Sequence, residues 1–287
     1  MDKKKRRAGF LFVLPWIIGI LLFTLIPMIA ALYIGFTDWT IIGNAKFIGL
    51  KNYQDIFKNE DFYQALWVTV RYAIFAIPLT IITSLVISIF LSKNRKGVGI
   101  YRVIYYMPAI VSGVAVAIVF KWILDPTNGL LNSILAIFKI KGPDWLYDAN
   151  WVLPSYLIMA VWGAGGGILT YLAALKDVPQ DLYESASIDG ANNLQKIWHI
   201  TIPMLTPIIF YNLVIGIISA FRKFTDAYVL GGIGKEGNFY MIYLYDRAFS
   251  QYEMGYATAL AWILFAIILA LTLIVNITKK YWVFKAE

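Results

Sequence analysis

Apolar residues in this chain run in blocks too long for the elements of a water-soluble core, separated by short polar stretches. Six blocks stand out, at 8–36, 66–91, 103–124, 151–175, 204–221 and 256–277. At about 1.5 Å per helical residue, each reaches or approaches the roughly 30 Å of a bilayer's hydrocarbon core. A backbone inside hydrocarbon has to satisfy its own hydrogen bonds, so each block is predicted to be a helix. The first, Ala8 to Phe36, carries no charge and ends in bulky Tyr33 and Phe36. It exceeds the roughly 7–15 apolar residues of a signal peptide and lacks a small-residue cleavage site, so it reads as an anchor. The expected fold class is an all-α integral membrane protein with six transmembrane helices.

Composition and charge sharpen this picture. Hydrophobic residues make up 60% of the chain and charged residues only 15%, below the roughly one quarter of soluble domains. A soluble fold of 287 residues has no place for so much apolar surface, so membrane lipid is the expected partner. The net charge of +8 does not point to nucleic acid, because the basic residues flank the apolar blocks. Lys3, Lys4, Lys5, Arg6 and Arg7 precede the first block, Lys93, Arg95, Lys96 and Arg102 follow the second, and Lys279, Lys280 and Lys285 follow the last. With six spans these clusters share one side, which the positive-inside rule makes cytoplasmic, with both termini. The expected location is a bacterial cytoplasmic membrane.

The outward segments carry Asp38, Asp55, Glu60, Asp61, Asp144 and Asp148 and read as short structured connections. Asn59-Glu60-Asp61 is a helix start, Asp125-Pro126-Thr127-Asn128-Gly129 is turn chemistry, and Gly231, Gly232, Gly234 and Gly237 form a flexible turn. Trp39, Trp67, Trp122, Trp145 and Trp151 fall near the outer ends, as interfacial aromatics do, although core packing also accounts for tryptophan.

Several functions are excluded by what the sequence lacks. There is no cysteine, and His199 is the single histidine, so neither a thiolate nor a histidine metal site is expected. Gly234-Lys235 is followed by Glu236 and lacks the earlier glycine of a phosphate-binding loop. Gly163-Ala164-Gly165-Gly166-Gly167 lies inside a block, where small residues allow close helix approach or local unwinding. No block has an aspartate or glutamate in its central third, which disfavours ion coupling, and no nucleophile is paired with a base. The chain is therefore not expected to be an enzyme or to hold a cofactor. Polar or aromatic candidates for a solute path are Ser112, Trp162, Tyr211 and Asn212, with interhelical packing and hydrogen bonding as the competing account of each.

An energy source is missing, and residues 178–207 are where one can attach. Pro179 with Asp181 and Glu184 reads as a helix start, Asp189-Gly190 as a turn, and Leu194, Ile197 and Trp198 as one face of a second short helix that Pro203 is expected to stop. This is either a handle for a cytosolic partner or an amphipathic helix at the interface.

The residues Glu184-Ser185-Ala186, Asp189-Gly190-Ala191 and Ile200-Thr201-Ile202-Pro203 resemble the EAA loop of binding-protein-dependent ABC importer permeases. Gly190 and Pro203 fall in register, while Ser185 stands where that family usually has alanine. Tyr228, Gly231-Gly232, Tyr243, Tyr245, Ala248-Phe249 and Gly255-Tyr256-Ala257 are similar to the carbohydrate branch, related to maltose and glycerol-phosphate permeases. The resemblance spans a permease core at 66–287, with 1–65 as an added tail, helix and outer loop. It implies a type I importer transmembrane domain with four kinds of partner: a second homologous permease, an ABC ATPase dimer, an extracytoplasmic solute-binding protein and a sugar. Glu184, Ser185, Ala186, Asp189, Gly190, Ala191 and Pro203 are then the ATPase-coupling residues. A self-contained secondary carrier or channel is the alternative.

Overall fold

The computed structural model describes residues 3–41, 43–93, 96–231 and 235–284. In chain order its helices are α1 Lys3–Ile20, α2 Ile26–Ile34, α3 Lys51–Lys58, α4 Glu60–Ser92, α5 Val98–Ile110, α6 Gly113–Ile123, α7 Leu130–Ile137 and α8 Ala149–Trp162. Then come α9 Gly165–Lys176, α10 Gln180–Ile188, α11 Asn193–Lys196, α12 Ile202–Phe221, α13 Thr225–Leu230, α14 Tyr240–Tyr245 and α15 Met254–Trp282. Short π-helical segments at Leu21–Leu25, Ile197–Thr201 and Asp246–Ser250 join neighbouring helices. Among the described residues there is no strand, only an isolated bridge between Thr37 and Phe47. Among the described residues four helices are long and apolar enough to cross a membrane, and counting each of two bent pairs as one span gives six, the expected number.

The spans depart from the prediction in three places. The third is not one helix: α5 and α6 meet at 101°, with Val111 and Ser112 extended between them. Pro108 within α5 and the β-branched pair Ile110-Val111 before Gly113 make this a poor stretch for a continuous helix. The fourth bends by 43° between α8 and α9, at the glycine run. The fifth span begins much earlier than Met204, because helix runs unbroken from Asn193 through Pro203, which does not stop it. Pro203 sits in the first turn of α12, directly after the π segment, where Ile202 N–H already donates to Ile197. Widening the turn ahead of a proline relieves its clash with the carbonyl four residues back.

The chain clusters into two compact units, Met1–Phe62 with Tyr243–Ala266 and Tyr63–Ile242 with Ile267–Glu287. In the first, Asn52 is buried and its amide donates to the carbonyls of Gly35 (2.9 Å) and Thr37 (2.8 Å). Gly255 N–H donates to Trp39 O at 3.0 Å, and a β-carbon there would lie 2.0 Å from Thr37 O, so only glycine fits. Arg247 donates to Gln251 (2.9 Å) and Glu253 (3.0 Å) and faces the rings of Tyr243 and Tyr256. Asn59 caps α4 as predicted, its side chain accepting from Asp61 N–H at 2.8 Å.

In the second unit the glycine run is a packing device. A β-carbon on Gly165 would stand 2.5 Å from Tyr105 O of α5, and one on Gly167 would stand 2.7 Å from the Ser84 hydroxyl of α4. The contact is also hydrogen-bonded: Ser84 donates to Ala164 O and Ser88 to Ile168 O, each at 3.0 Å. Leu91, Ile168 and Leu172 close the apolar cluster beneath them. Small residues with serine hydroxyls are how helices approach closely where lipid supplies no hydrophobic driving force.

The 125–148 connection is organised around Asn132. Its amide nitrogen donates to Pro126 O (3.0 Å) and Pro143 O (3.1 Å), and its oxygen accepts from the Trp145 indole at 2.7 Å. Trp145 is therefore a core residue, 7% exposed, and not the interfacial aromatic expected, whereas Trp122 is 62% exposed. Asp125 accepts from Asn128 N–H, the Thr127 hydroxyl and Thr127 N–H, which hold its carboxyl below the usual range. Replacing Asn132 by alanine strands an indole N–H and two carbonyls at once. The expected cost is about 2–3 kcal/mol, read as a lower midpoint of thermal unfolding in detergent; an unchanged midpoint rejects this account of the loop.

Candidate functional site

Two places in the second unit hold the residues that the sequence singles out. The first is the segment 178–207. Helix α10 starts immediately after Pro179, with Asp181 in its first turn near the positive end of the helix dipole. It ends in a left-handed Gly190 (φ +79°). Gly190 N–H donates to Ser187 O at 3.1 Å and Ala191 N–H to Ala186 O at 2.8 Å, the paired bonds of a Schellman termination. Two residues on, Asn192 and Gln195 cap α11 reciprocally, Asn192 accepting at 2.9 Å and Gln195 at 2.8 Å. Each turn is thus encoded by residues beside it in sequence.

Side chains then lock the two helices together. Lys196 donates to the Ser187 hydroxyl at 2.6 Å, and the Tyr183 hydroxyl meets that of Thr201 at 2.8 Å. Glu184, Ser185, Asp189 and Gly190 are exposed on the result, Ala186 and Ala191 are half-buried, and Pro203 lies further along in α12. A shallow cavity of about 330 Å³ opens beside the turn, lined by Asp189, Gly190, Gln195 and His199 among others. Ile188 is 88% exposed, and Leu194 and Trp198 are more than 60% exposed.

The second place is a groove between α4, α8 and α12. Two adjoining cavities of about 480 and 460 Å³ share Thr80, Gly163, Gly216 and Ser219 in their walls. Trp162 lines the first, its ring edge-on to Phe120 with centroids 5.5 Å apart. Tyr211 and Asn212 line the second. Asn212 also donates to Thr170 at 3.2 Å and to Ile208 O at 2.9 Å, so its amide bridges α12 to α9 while bordering the cavity. Ser112 lines neither cavity; it is the extended residue before α6.

The sequence reading missed the charged end of this groove. Arg222, Lys223 and Asp226 line the first cavity beyond α12. Lys223 pairs with Asp226 and lies over the rings of Tyr72 (4.6 Å), Tyr156 (5.1 Å) and Phe239 (5.9 Å). These rings meet edge to face at 5.0–6.4 Å, so the ammonium sits in an aromatic cage completed by one carboxylate. Arg222 and Lys223 directly follow an apolar block at the expected outer end, as an adjacent basic pair, and that was the available signal. Gly231 is left-handed (φ +63°) as the expected turn requires, whereas Gly232 and Gly234 lie outside the described residues.

Apolar helices of membrane-crossing length, a groove between α4, α8 and α12, and the α10–α11 segment after α9 are the features of a membrane permease. The family model for the binding-protein-dependent transport system inner membrane component matches residues 76–284, and the chain belongs to that family. The probable ABC transporter permease YesP of Bacillus subtilis (strain 168) is 40% identical over 98% of this chain and 93% of its own length. The arabinooligosaccharides transport system permease AraP of the same organism is 36% identical over 94% of this chain and 88% of its own. A bacterial alginate ABC transporter, solved in complex with an alginate pentasaccharide-bound periplasmic protein, matches with a TM-score of 0.84 at 25% identity, covering 96% of this chain and 95% of that one.

Proposed function

We propose that this chain is one permease subunit of an ATP-driven importer for a sugar or oligosaccharide. A solute-binding protein delivers the substrate from outside, a second homologous permease completes the path, and a dimer of ABC ATPases docks at the projection formed by α10 and α11. The observation that carries this reading is that projection: a Schellman-terminated helix bearing exposed Glu184, Ser185, Asp189 and Gly190, stapled to α12 through Tyr183 and Thr201. Force applied to α10 reaches the base of a long span without an intervening flexible linker. Both termini and the projection lie on the cytoplasmic side, residues 66–287 form the permease core, and 1–65 are an addition to it.

The sugar class is supported by the arabinooligosaccharide relative and by the alginate transporter, together with the mix of Trp162, Tyr211 and Asn212 along the groove. Aromatic faces with amide and hydroxyl partners suit a sugar's apolar faces and hydroxyl rim. Proteoliposomes holding this chain with its partner permease, ATPases and binding protein should accumulate radiolabelled oligosaccharide only when ATP is present. In that system Trp162→Ala and Asn212→Ala should each lower uptake about tenfold, the loss of roughly 1.4 kcal/mol of contact. Flux through liposomes holding this chain alone, abolished by an ionophore, defeats the importer reading in favour of a secondary carrier.

A further inference from the structure

A third cavity, of about 430 Å³, lies in the second unit between the ends of α4 and α9 and the projection. Among the described residues its walls include four cations, Lys93, Arg102, Lys176 and Lys196, and no carboxylate. They arrive from four segments far apart in sequence: the end of α4, then α5, the last turn of α9, and α11. None of the four forms an ion pair among the described residues. Arg102 donates one terminal nitrogen to Leu91 O at 2.9 Å, while its Nε is buried with no hydrogen-bond partner.

Basic residues at the inner ends of spans have a general cause in the attraction of the anionic leaflet. That cause places charges along an interface; it does not gather them around one concavity, nor bury a guanidinium N–H without an acceptor. Like charges sharing a partly enclosed wall repel one another, and the unmade Arg102 bond adds a further cost. Both costs fall when an oxyanion enters. The remaining lining suits an ester and not a bare ion: Gln180 and Asn193 offer amides and Tyr183 a hydroxyl, while Leu172 and Leu175 give an apolar floor.

We propose that this cavity binds a phosphate ester anion, either the headgroup of an anionic phospholipid or a soluble phosphate ester. The inference does not depend on which solute the chain carries. Tyr183 and Thr201, whose hydroxyls hold α10 to the base of α12, line the same cavity. An anion held by Lys93, Arg102, Lys176 and Lys196 ties α4, α5, α9 and α11 to one point and stiffens the route from the projection to the spans. Occupancy therefore tunes how tightly the projection is coupled to the spans.

The test uses the assembled transporter, stripped of lipid in detergent. In the lipid arm, native mass spectrometry compares retention of phosphatidylglycerol with that of phosphatidylcholine. In the soluble arm, calorimetry titrates glycerol 3-phosphate and inorganic phosphate against chloride. The double variant Lys93→Gln/Lys176→Gln removes two exposed cations that have no described partner, so folding is undisturbed, and size exclusion verifies assembly. Binding in either arm, weakened about tenfold or more in the double variant, is the expected result, since each charge-assisted bond is worth about that factor. Selectivity for phosphatidylglycerol with a silent soluble arm identifies the lipid headgroup, and the reverse identifies a soluble ester. Absence of selectivity in both arms, or selectivity that survives the substitutions, overturns the proposal.

Discussion

Replacing Gly190 by tryptophan should reduce uptake at least a hundredfold while the subunit still inserts into the membrane. The two halves of this expectation have separate physical causes. A side chain at φ +79° costs roughly 1–2 kcal/mol of backbone strain, which a helical bundle of this size survives. A β-carbon at this position meets no atom within 4 Å, so nothing inside the subunit is displaced. The indole instead projects from the turn, beside exposed Asp189 and the cavity that Asp189, Gly190 and His199 border. Excluding a partner from such a surface forfeits hot-spot contacts of about 3 kcal/mol, which is the hundredfold loss. Gly190→Ala carries the same strain without the bulk and should keep much of the activity. The measurements are uptake and co-purification of the ATPase. Normal transport by the tryptophan variant removes the coupling role, and equal loss in the alanine variant assigns the defect to turn geometry in place of docking.

What the sequence disclosed, and what it withheld, follows the range of the interactions involved. The Asn59 cap, the Asp125 turn and the Gly190 turn are set by residues two or three apart, so short patterns suffice to place them. The six apolar blocks are equally legible because the bilayer imposes length and polarity on each span by itself. The break between α5 and α6 was not legible. Hydropathy is continuous through Val111 and Ser112, and only packing decides whether a stretch with weak helix formers stays straight. The cage around Lys223 draws on Tyr72, Tyr156 and Phe239, three aromatics on three segments, none of which differs in sequence from an interfacial ring. The burial of Trp145 is hidden for the same reason: its indole partner, Asn132, sits across a turn whose closure no local pattern announces. The passage of the helix through Pro203 was not legible either, because the π segment that absorbs the proline has no signature of its own.

Two neighbouring glycines should respond oppositely to the same methyl group. Gly165 and Gly166 are equivalent by any reading of the sequence, inside one run in one span. The structure separates them. A β-carbon on Gly165 falls 2.5 Å from the backbone oxygen of Tyr105, an atom that cannot swing aside without shifting α5. At Gly166 nothing stands within 4 Å. Gly165→Ala should therefore push α5 from α9 and cost about 3 kcal/mol, the upper range for overpacking. The Ser84 to Ala164 and Ser88 to Ile168 bonds join α9 to α4, on a different contact, and should persist. Gly166→Ala relieves the entropy of a helical glycine and should leave stability unchanged or raise it by about 0.5–1 kcal/mol. Thermal unfolding of the two purified variants in one detergent reads the difference directly. Because α9 borders the groove at Gly167 and Thr170, the Gly165 variant should also lose uptake even at temperatures where it remains folded. Equal stability of the two variants contradicts the close α5–α9 contact and, with it, the assignment of the glycine run to helix packing.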